Sequence, residues 1–135
     1  MAYKIDEIEG IGPSYAEKLA NAGIKSTDDL LEKCANPQGR KSIAATTGLS
    51  ESHLLKWANM ADLMRISGVG RQYAELLEGA GVDTVKELRN RSFENLAAKM
   101  KEVNEQKKLA KMSPSSSVVK EWIEQANKLD PKISY

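Results

Sequence analysis

The strongest constraint on the fold is an internal duplication of the sequence. Residues 8–30 align with residues 66–88 at an offset of 58, and ten of these 23 positions are identical. Ordinary residue usage would give roughly one or two identities by chance. After an insertion of seven residues the register returns at an offset of 65. We therefore predict one structural unit that occurs twice, over residues 1–64 and 65–135, with the two copies packed as one compact domain.

Hydrophobic spacing and helix-stop signals predict helices throughout both copies. In the first copy, Pro13 suits the first residue of a helix, and Gly23 supplies a left-handed stop. Ser26 and Ser50 are candidate N-caps of later helices. No segment has the two-residue alternation of a β-strand. We predict an all-α fold of about eight to ten mostly short helices, with no sheet.

Composition argues against several classes of protein. No apolar run approaches the roughly eighteen residues that a membrane span needs, so no membrane contact is expected. The first residues lack the basic-then-apolar order of a secretion signal, and the single cysteine, Cys34, cannot form an internal disulfide. We therefore expect a cytoplasmic protein. His53 is the only histidine and the carboxylates are scattered, so we expect neither a metal site nor an enzyme.

Each copy carries a Gly-aliphatic-Gly turn directly before a predicted helix. The turns are Gly10-Ile11-Gly12 and Gly68-Val69-Gly70. Glycine permits positive φ and close backbone approach, and the aliphatic residue can fill the core beneath the turn. Such a turn leaves N–H groups pointing outward at the start of the next helix, where the helix dipole favours an anion such as phosphate.

These turns resemble the helix-hairpin-helix motif of DNA repair, recombination and replication proteins, and the pair resembles a paired helix-hairpin-helix module. The whole chain, including the junction at residues 57–66, resembles a family of tandem helix-hairpin-helix proteins catalogued as a domain of unknown function. The resemblance implies that hairpin amides hold a DNA phosphate without reading base sequence. It also implies that hairpin carbonyls can hold a monovalent cation, and it implies no other cofactor.

The flanks of the two turns differ in charge and in amides. In the first turn Pro13 removes one amide, and three acidic residues stand close before it: Asp6, Glu7 and Glu9. The second turn keeps every amide of residues 68–72 and has an arginine on each side. We predict that DNA contacts are concentrated at the second turn, in the residues Gly68, Val69, Gly70, Arg71, Gln72, Arg65 and Lys86. Weaker contacts are predicted for Gly10, Ile11, Gly12 and Ser14.

Net charge leaves two functions open. The chain carries only +1, with −2 over residues 1–64 and +3 over residues 65–135, which is much less basic than a dedicated nucleic-acid coat protein. The leading hypothesis is a non-catalytic DNA-binding module that grips the backbone without sequence preference. The alternative is a protein–protein adaptor or assembly protein with the same fold, because paired helix-hairpin-helix modules of known nucleases also serve in dimerisation. The sequence predicts no oligomeric state.

Several conspicuous side chains are better explained by packing than by function. Trp57 and Trp122 occupy equivalent positions on apolar helical faces, so we predict that they lie in the core rather than stack on bases. Cys34 follows a Leu-Leu face and is expected to be buried, whereas His53 is expected to be exposed. The lysines of residues 99–111 alternate with glutamates and predict a solvated surface.

Overall fold

A computed structural model describes residues 2–135, which form eight α-helices and one short 3-10 helix at Ile5–Glu7. The helices of the first copy are α1 Pro13–Asn21, α2 Thr27–Cys34, α3 Pro37–Thr47 and α4 Glu51–Leu63. Those of the second copy are α5 Arg71–Gly79, α6 Val85–Leu88, α7 Phe93–Lys107 and α8 Ser116–Lys128. Residues 2–135 contain no strand beyond an isolated bridge between Lys4 and Ser26, so the predicted all-α fold is confirmed.

One hydrophobic core runs through both copies. Within the first copy α4 packs against α2 and α3, and it also packs against α5 of the second copy. In the second copy α7 packs against both α5 and α8, and α6 packs against α8. The buried apolar side chains of the two copies belong to a single cluster. Helix α4 therefore joins the two copies through its packing as well as through the chain.

Equivalent positions of the two copies adopt the same backbone conformation. Gly10 and Gly68 have φ values of 94° and 95°, and the stop glycines Gly23 and Gly81 have φ values of 84° and 92°. Positive φ in this range is accessible to glycine and unfavourable for residues with a Cβ. The duplicated glycines thus shape matching turns at both ends of α1 and α5.

The helix starts fall into two groups. Of the eight α-helices in residues 2–135, six begin with a side chain whose oxygen accepts a hydrogen bond from the amide three residues later. These caps are Ser26, Asn36, Ser50, Thr84, Ser92 and Ser115. Helices α1 and α5 follow the glycine turns and have glycine as N-cap, so no side chain caps their first amides.

Two helix boundaries differ from those that the sequence predicts, which are a helix from about Arg40 to Thr47 and another near Thr84–Arg91. Helix α3 begins at Pro37 rather than near Arg40, because the Asn36 side chain accepts from the Gly39 amide and proline suits the first helical position. Helix α6 ends at Leu88 rather than near Arg91. There the backbone tightens into i to i+3 hydrogen bonds, which turn the chain into α7.

Candidate functional site

Each glycine turn rests on a buried tryptophan. A Cβ added to Gly10 would lie 3.5 Å from Nε1 of Trp57, and one added to Gly68 would lie 3.3 Å from Nε1 of Trp122. Both tryptophans are buried in the core, as predicted from their apolar faces. The first glycine of each turn is therefore required by its positive φ, and at Gly68 a Cβ would in addition crowd the indole beneath it.

The aliphatic residue of each turn fills the core as expected. Ile11 and Val69 are both buried. Their amides donate back to the carbonyls of Ile8 and Ile66, at 3.1 and 3.0 Å respectively. Each turn is thus closed by one main-chain hydrogen bond and by one apolar side chain packed beneath it.

The second glycine of each turn has no such internal requirement. Gly12 and Gly70 have φ values of −88° and −98°, which any residue can adopt. A Cβ added at either position would meet nothing within 4 Å. Neither backbone conformation nor packing explains glycine at these two positions. The open space there leaves the first amides of α1 and α5 accessible from outside.

The two helices differ in the number of amides that they present. In α5 the first three residues are Arg71, Gln72 and Tyr73, and each has an N–H that lies too early in the helix for an intrahelical acceptor. In α1 the first residue is Pro13, so only the second and third positions provide an N–H group. The second turn therefore offers one more donor to an anion than the first turn does.

Arg71 connects the second turn to the first copy. Its Nε donates to the main-chain carbonyl of Glu7 at 2.9 Å, and its Nη2 donates to the carbonyl of Asp6. Nε also lies 3.6 Å from Oε2 of Glu9. The Arg71 side chain remains 43% exposed. The guanidinium thus contacts the acidic segment before the first turn, residues 6–9, as well as open solvent.

Arg65, the other arginine that flanks the second turn, is paired with a buried aspartate. Its Nη1 lies 2.7 Å from Oδ1 of Asp62, and the two side chains are only 14% and 1% exposed. The second carboxylate oxygen of Asp62 accepts from the Val85 amide at 2.8 Å, at the start of α6. Asp62 thus organises the junction between the copies. Sequence reasoning missed it, although an acidic residue inside the apolar run of α4 was a usable signal.

All five arginines of the chain are held by internal acceptors. Arg40 donates to the Cys34 and Ser134 carbonyls, Arg89 to the Ala126 and Leu129 carbonyls, and Arg91 to the Ala80 and Gly81 carbonyls. Of the basic residues predicted to contact DNA, Lys86 lies exposed on α6. Arginine in this chain therefore ties segments together, and of the arginines Arg71 remains the most exposed.

Gln125 on α8 braces the second turn from the side. Its Oε1 accepts from the Ser67 amide at 2.9 Å, and its Nε2 donates to the Ser67 carbonyl at 3.2 Å. The position equivalent to Gln125 in the first copy is Met60, which cannot make this pair. The second turn consequently has a side-chain support that the first lacks, and no periodic pattern in the sequence indicates this contact.

The acidic segment of the first turn also lies against α5. A cavity of about 220 Å³ between them is lined by Glu9, Glu75 and Glu78, with Lys56 and Lys107 among its other residues. Burial raises the pKa of Glu75, and the neighbouring carboxylates of Glu9 and Glu78 raise it further. Negative charge of the first copy thus extends to the side of the helix that follows the second turn.

Comparison with known proteins gives a family that covers both turns. A model described as a domain of unknown function, DUF4332, matches residues 9–129 of the 135-residue chain. The chain belongs to the DUF4332 family. The matched residues include both glycine turns and helices α1 to α8. Comparisons with curated proteins and with solved structures each found no match.

His53 and Cys34, the other side chains considered in the sequence of this DUF4332 protein, are each explained by their packing. His53 is exposed, and its ring stacks on that of Trp57 with centroids 5.5 Å apart. Cys34 is buried, and burial raises the pKa of its thiol to about 11. No cluster of three or more His, Cys, Asp or Glu side chains able to hold a metal ion occurs within residues 2–135. Over the same residues, no helix combines the length and apolarity needed to cross a membrane.

Proposed function

We propose that this DUF4332 protein is a non-catalytic DNA-binding module that contacts backbone phosphate without sequence preference. In this proposal the two glycine turns are helix-hairpin-helix motifs, and the second turn makes the chief contact. The observation that carries the proposal is Gly70, a glycine that neither φ nor internal packing requires. A glycine of that kind is explained by close approach of a ligand to the backbone.

The start of α5 has the chemistry that a phosphate requires. The N–H groups of Arg71, Gln72 and Tyr73 lie at the positive end of the helix dipole, and no side chain caps them. Phosphate contacts of this kind fix a protein on the duplex but carry no base information. With few phosphates contacted, we expect a Kd on the order of 10⁻⁴–10⁻⁶ M at physiological salt.

The predicted site residues divide into distinct roles in this proposal. Gly68 and Val69 shape the turn, and the amides after Gly70 hold phosphate. Lys86 adds an exposed positive charge on α6, whereas Arg65 supports the junction through Asp62. The first turn contributes less, because Pro13 lacks an amide. Its candidate contacts remain Gly10, Ile11, Gly12 and Ser14.

A monovalent cation is not needed in the proposed contact. In the second turn the carbonyls of Ile66 and Ser67 already accept hydrogen bonds, from the Val69 amide and the Gln125 side chain. A cation at these oxygens would have to share them with the existing donors. The proposed contact therefore uses the chain's own amides, and no step depends on a bound ion.

The decisive experiment replaces Gly70 with serine. A serine N-cap would accept from the Tyr73 amide and cover the anion site, as Ser26 and Ser50 do for α2 and α4. We expect Gly70→Ser to change the free energy of unfolding by less than about 0.5 kcal/mol. Fluorescence anisotropy with a short labelled duplex should show roughly tenfold weaker binding, the size of one lost hydrogen bond to a charged group.

Gly12→Ser is the matched control for this substitution. It makes the same change at the equivalent position of the first copy, where one amide is already missing, so its effect on DNA binding should be clearly smaller. Equal binding by the wild-type protein and Gly70→Ser would contradict the proposed contact. Absence of binding by the folded wild-type chain, even at low salt, would remove the proposed function.

A second candidate is a protein–protein adaptor or assembly protein with the same fold. It is favoured by the Arg71 contact, since the guanidinium donates to the Asp6 and Glu7 carbonyls and lies beside Glu9. It is favoured also by a net charge of only +1. Light scattering and cross-linking test it: a monomer at all concentrations, with no co-purifying protein, would count against this function.

A further inference from the structure

The contact of Arg71 with the first copy has a consequence for access to the second turn. Arg71 is the first residue of α5, so its side chain starts beside the amides of Gln72 and Tyr73. A guanidinium at that position could close over a bound phosphate. It is instead turned toward the carbonyls of Asp6 and Glu7, at the end of the 3-10 helix.

The acidic segment, residues 6–9, is well suited to hold this guanidinium. The carbonyls of Asp6 and Glu7 provide two acceptors at the negative end of a helical turn. Glu9 adds a carboxylate 3.6 Å from Nε, and Asp6 and Glu7 bring two further exposed acidic side chains. An approaching phosphate would meet this negative charge, together with an arginine whose Nε and Nη2 already donate to main-chain carbonyls.

We propose that the acidic segment of the first copy is an autoinhibitory latch, which competes with phosphate for the Arg71 guanidinium. This inference rests on the proposed DNA contact and adds to it a regulation of one copy by the other. Phosphate binds the amides of α5 in either state, and binds more tightly when Arg71 leaves the carbonyls and turns to the ligand. DNA therefore shifts the latch toward its open state by its preference for that state.

The latch contact is suited to such an exchange because it is exposed. Glu9 and Arg71 are 48% and 43% exposed, so the ion pair is screened by solvent and contributes little to folding. Opening it requires rotation of one arginine side chain and no movement of the buried turn. The core beneath Gly68, with Val69 and Trp122, stays as it is.

The test compares Glu9→Gln, which weakens the latch, with Glu51→Gln, which removes the same charge elsewhere. Glu51 starts the 13-residue helix α4. It is exposed, lies outside the acidic segment, and forms no ion pair within residues 2–135. Both variants are measured by anisotropy with the same duplex, and circular dichroism checks that each is folded.

Glu9→Gln should bind the duplex on the order of threefold more tightly, the effect of one exposed ion pair, and Glu51→Gln should match the wild type. The released arginine should steepen the dependence of log K on log salt by about 0.9. Arg71→Ala should weaken binding more in the Glu9→Gln background than in the wild-type background. The double variant Glu9→Gln/Arg71→Ala then loses the gain.

Different negative results would contradict the latch and the DNA contact. If the wild type binds and Glu9→Gln gains no more than Glu51→Gln, the latch is wrong and the DNA contact stands. The same conclusion follows if Arg71→Ala has equal effects in both backgrounds. If neither the wild type nor Glu9→Gln binds the duplex, the proposed function fails, and the latch fails with it.

Discussion

The two glycine turns have the same architecture and different surroundings. In both, the first glycine has φ near 95° and sits over a tryptophan, and the aliphatic residue is buried. The turn before α1 continues into Pro13 and lies among acidic residues, whereas the turn before α5 continues into Arg71. The features that the two turns share are those that the fold requires. The features in which they differ are those that would matter to a ligand.

The two copies also have the same architecture and different contacts where α2 and α6 begin. In the first copy, Thr27 is held by Tyr3, with the Thr27 amide donating to the Tyr3 carbonyl at 2.9 Å and Thr27 Oγ1 accepting from the Tyr3 amide at 3.0 Å. In the second copy, the equivalent residue Val85 is held by the carboxylate of Asp62. One position in the fold is thus secured by main chain in one copy and by a buried charge in the other.

The largest loss of stability is expected from removing the Asp62 carboxylate, which holds Val85 in the second copy. Asp62→Ala removes the partner of Arg65 and the acceptor of the Val85 amide, leaving both unsatisfied near the core. We expect a loss of about 3 kcal/mol in the free energy of unfolding, measured by denaturant titration. Thr27→Ala, which removes one hydrogen bond at the equivalent helix start, should cost about 1 kcal/mol. Equal losses would show that the contacts of Thr27 and of Asp62 stabilise their copies to the same extent.

An intermediate loss of stability is expected from substituting the first glycine of each turn, a position at which the two turns are alike. Gly68→Ala and Gly10→Ala each place a Cβ at φ near 95° and against an indole nitrogen. Each should destabilise the protein by about 1–2 kcal/mol, and Gly68→Ala by more, because its Cβ lies 3.3 Å rather than 3.5 Å from the tryptophan. Thermal unfolding of the two variants measures this. A change at only one glycine would contradict the shared architecture.

The smallest effect is expected from restoring the missing amide of the first turn. Pro13→Ala gives α1 the same number of N–H groups as α5 and should destabilise the protein by about 0.4–1 kcal/mol. Its DNA affinity should rise by less than about threefold, because Asp6, Glu7 and Glu9 still surround the turn. Anisotropy measures this change. A gain as large as the loss expected for Gly70→Ser would show that Pro13 alone distinguishes the turns.

The sequence predicted the elements of this fold better than it predicted contacts between them. Gly23, Ser26 and Ser50 act locally, so the ends and caps that they signalled were found where expected. The partners of Arg65 and Arg71 were not predicted. Arg71 bonds residues 64 and 65 positions away, and such pairings depend on how the two copies pack, which periodicity does not encode.

The candidate site was predicted in outline and refined in one respect. The turns and their buried aliphatic residues could be predicted from spacing alone. The two glycines of each turn, however, looked equivalent in sequence. Gly68 and Gly70 differ in φ and in the space that an added Cβ would occupy. Gln125 was missed because it braces Ser67 from a helix 58 residues away.

The most direct measurement is a titration of the ¹⁵N-labelled protein with a short DNA duplex, followed by amide chemical shifts. If the start of α5 holds phosphate, the amides of Gly70, Arg71, Gln72 and Tyr73 shift most and saturate together. The amides of Gly12, Ser14 and Tyr15 then shift less, since the first turn is acidic and lacks one donor. Largest shifts elsewhere in the chain, or equal shifts at both turns, would contradict the difference between them.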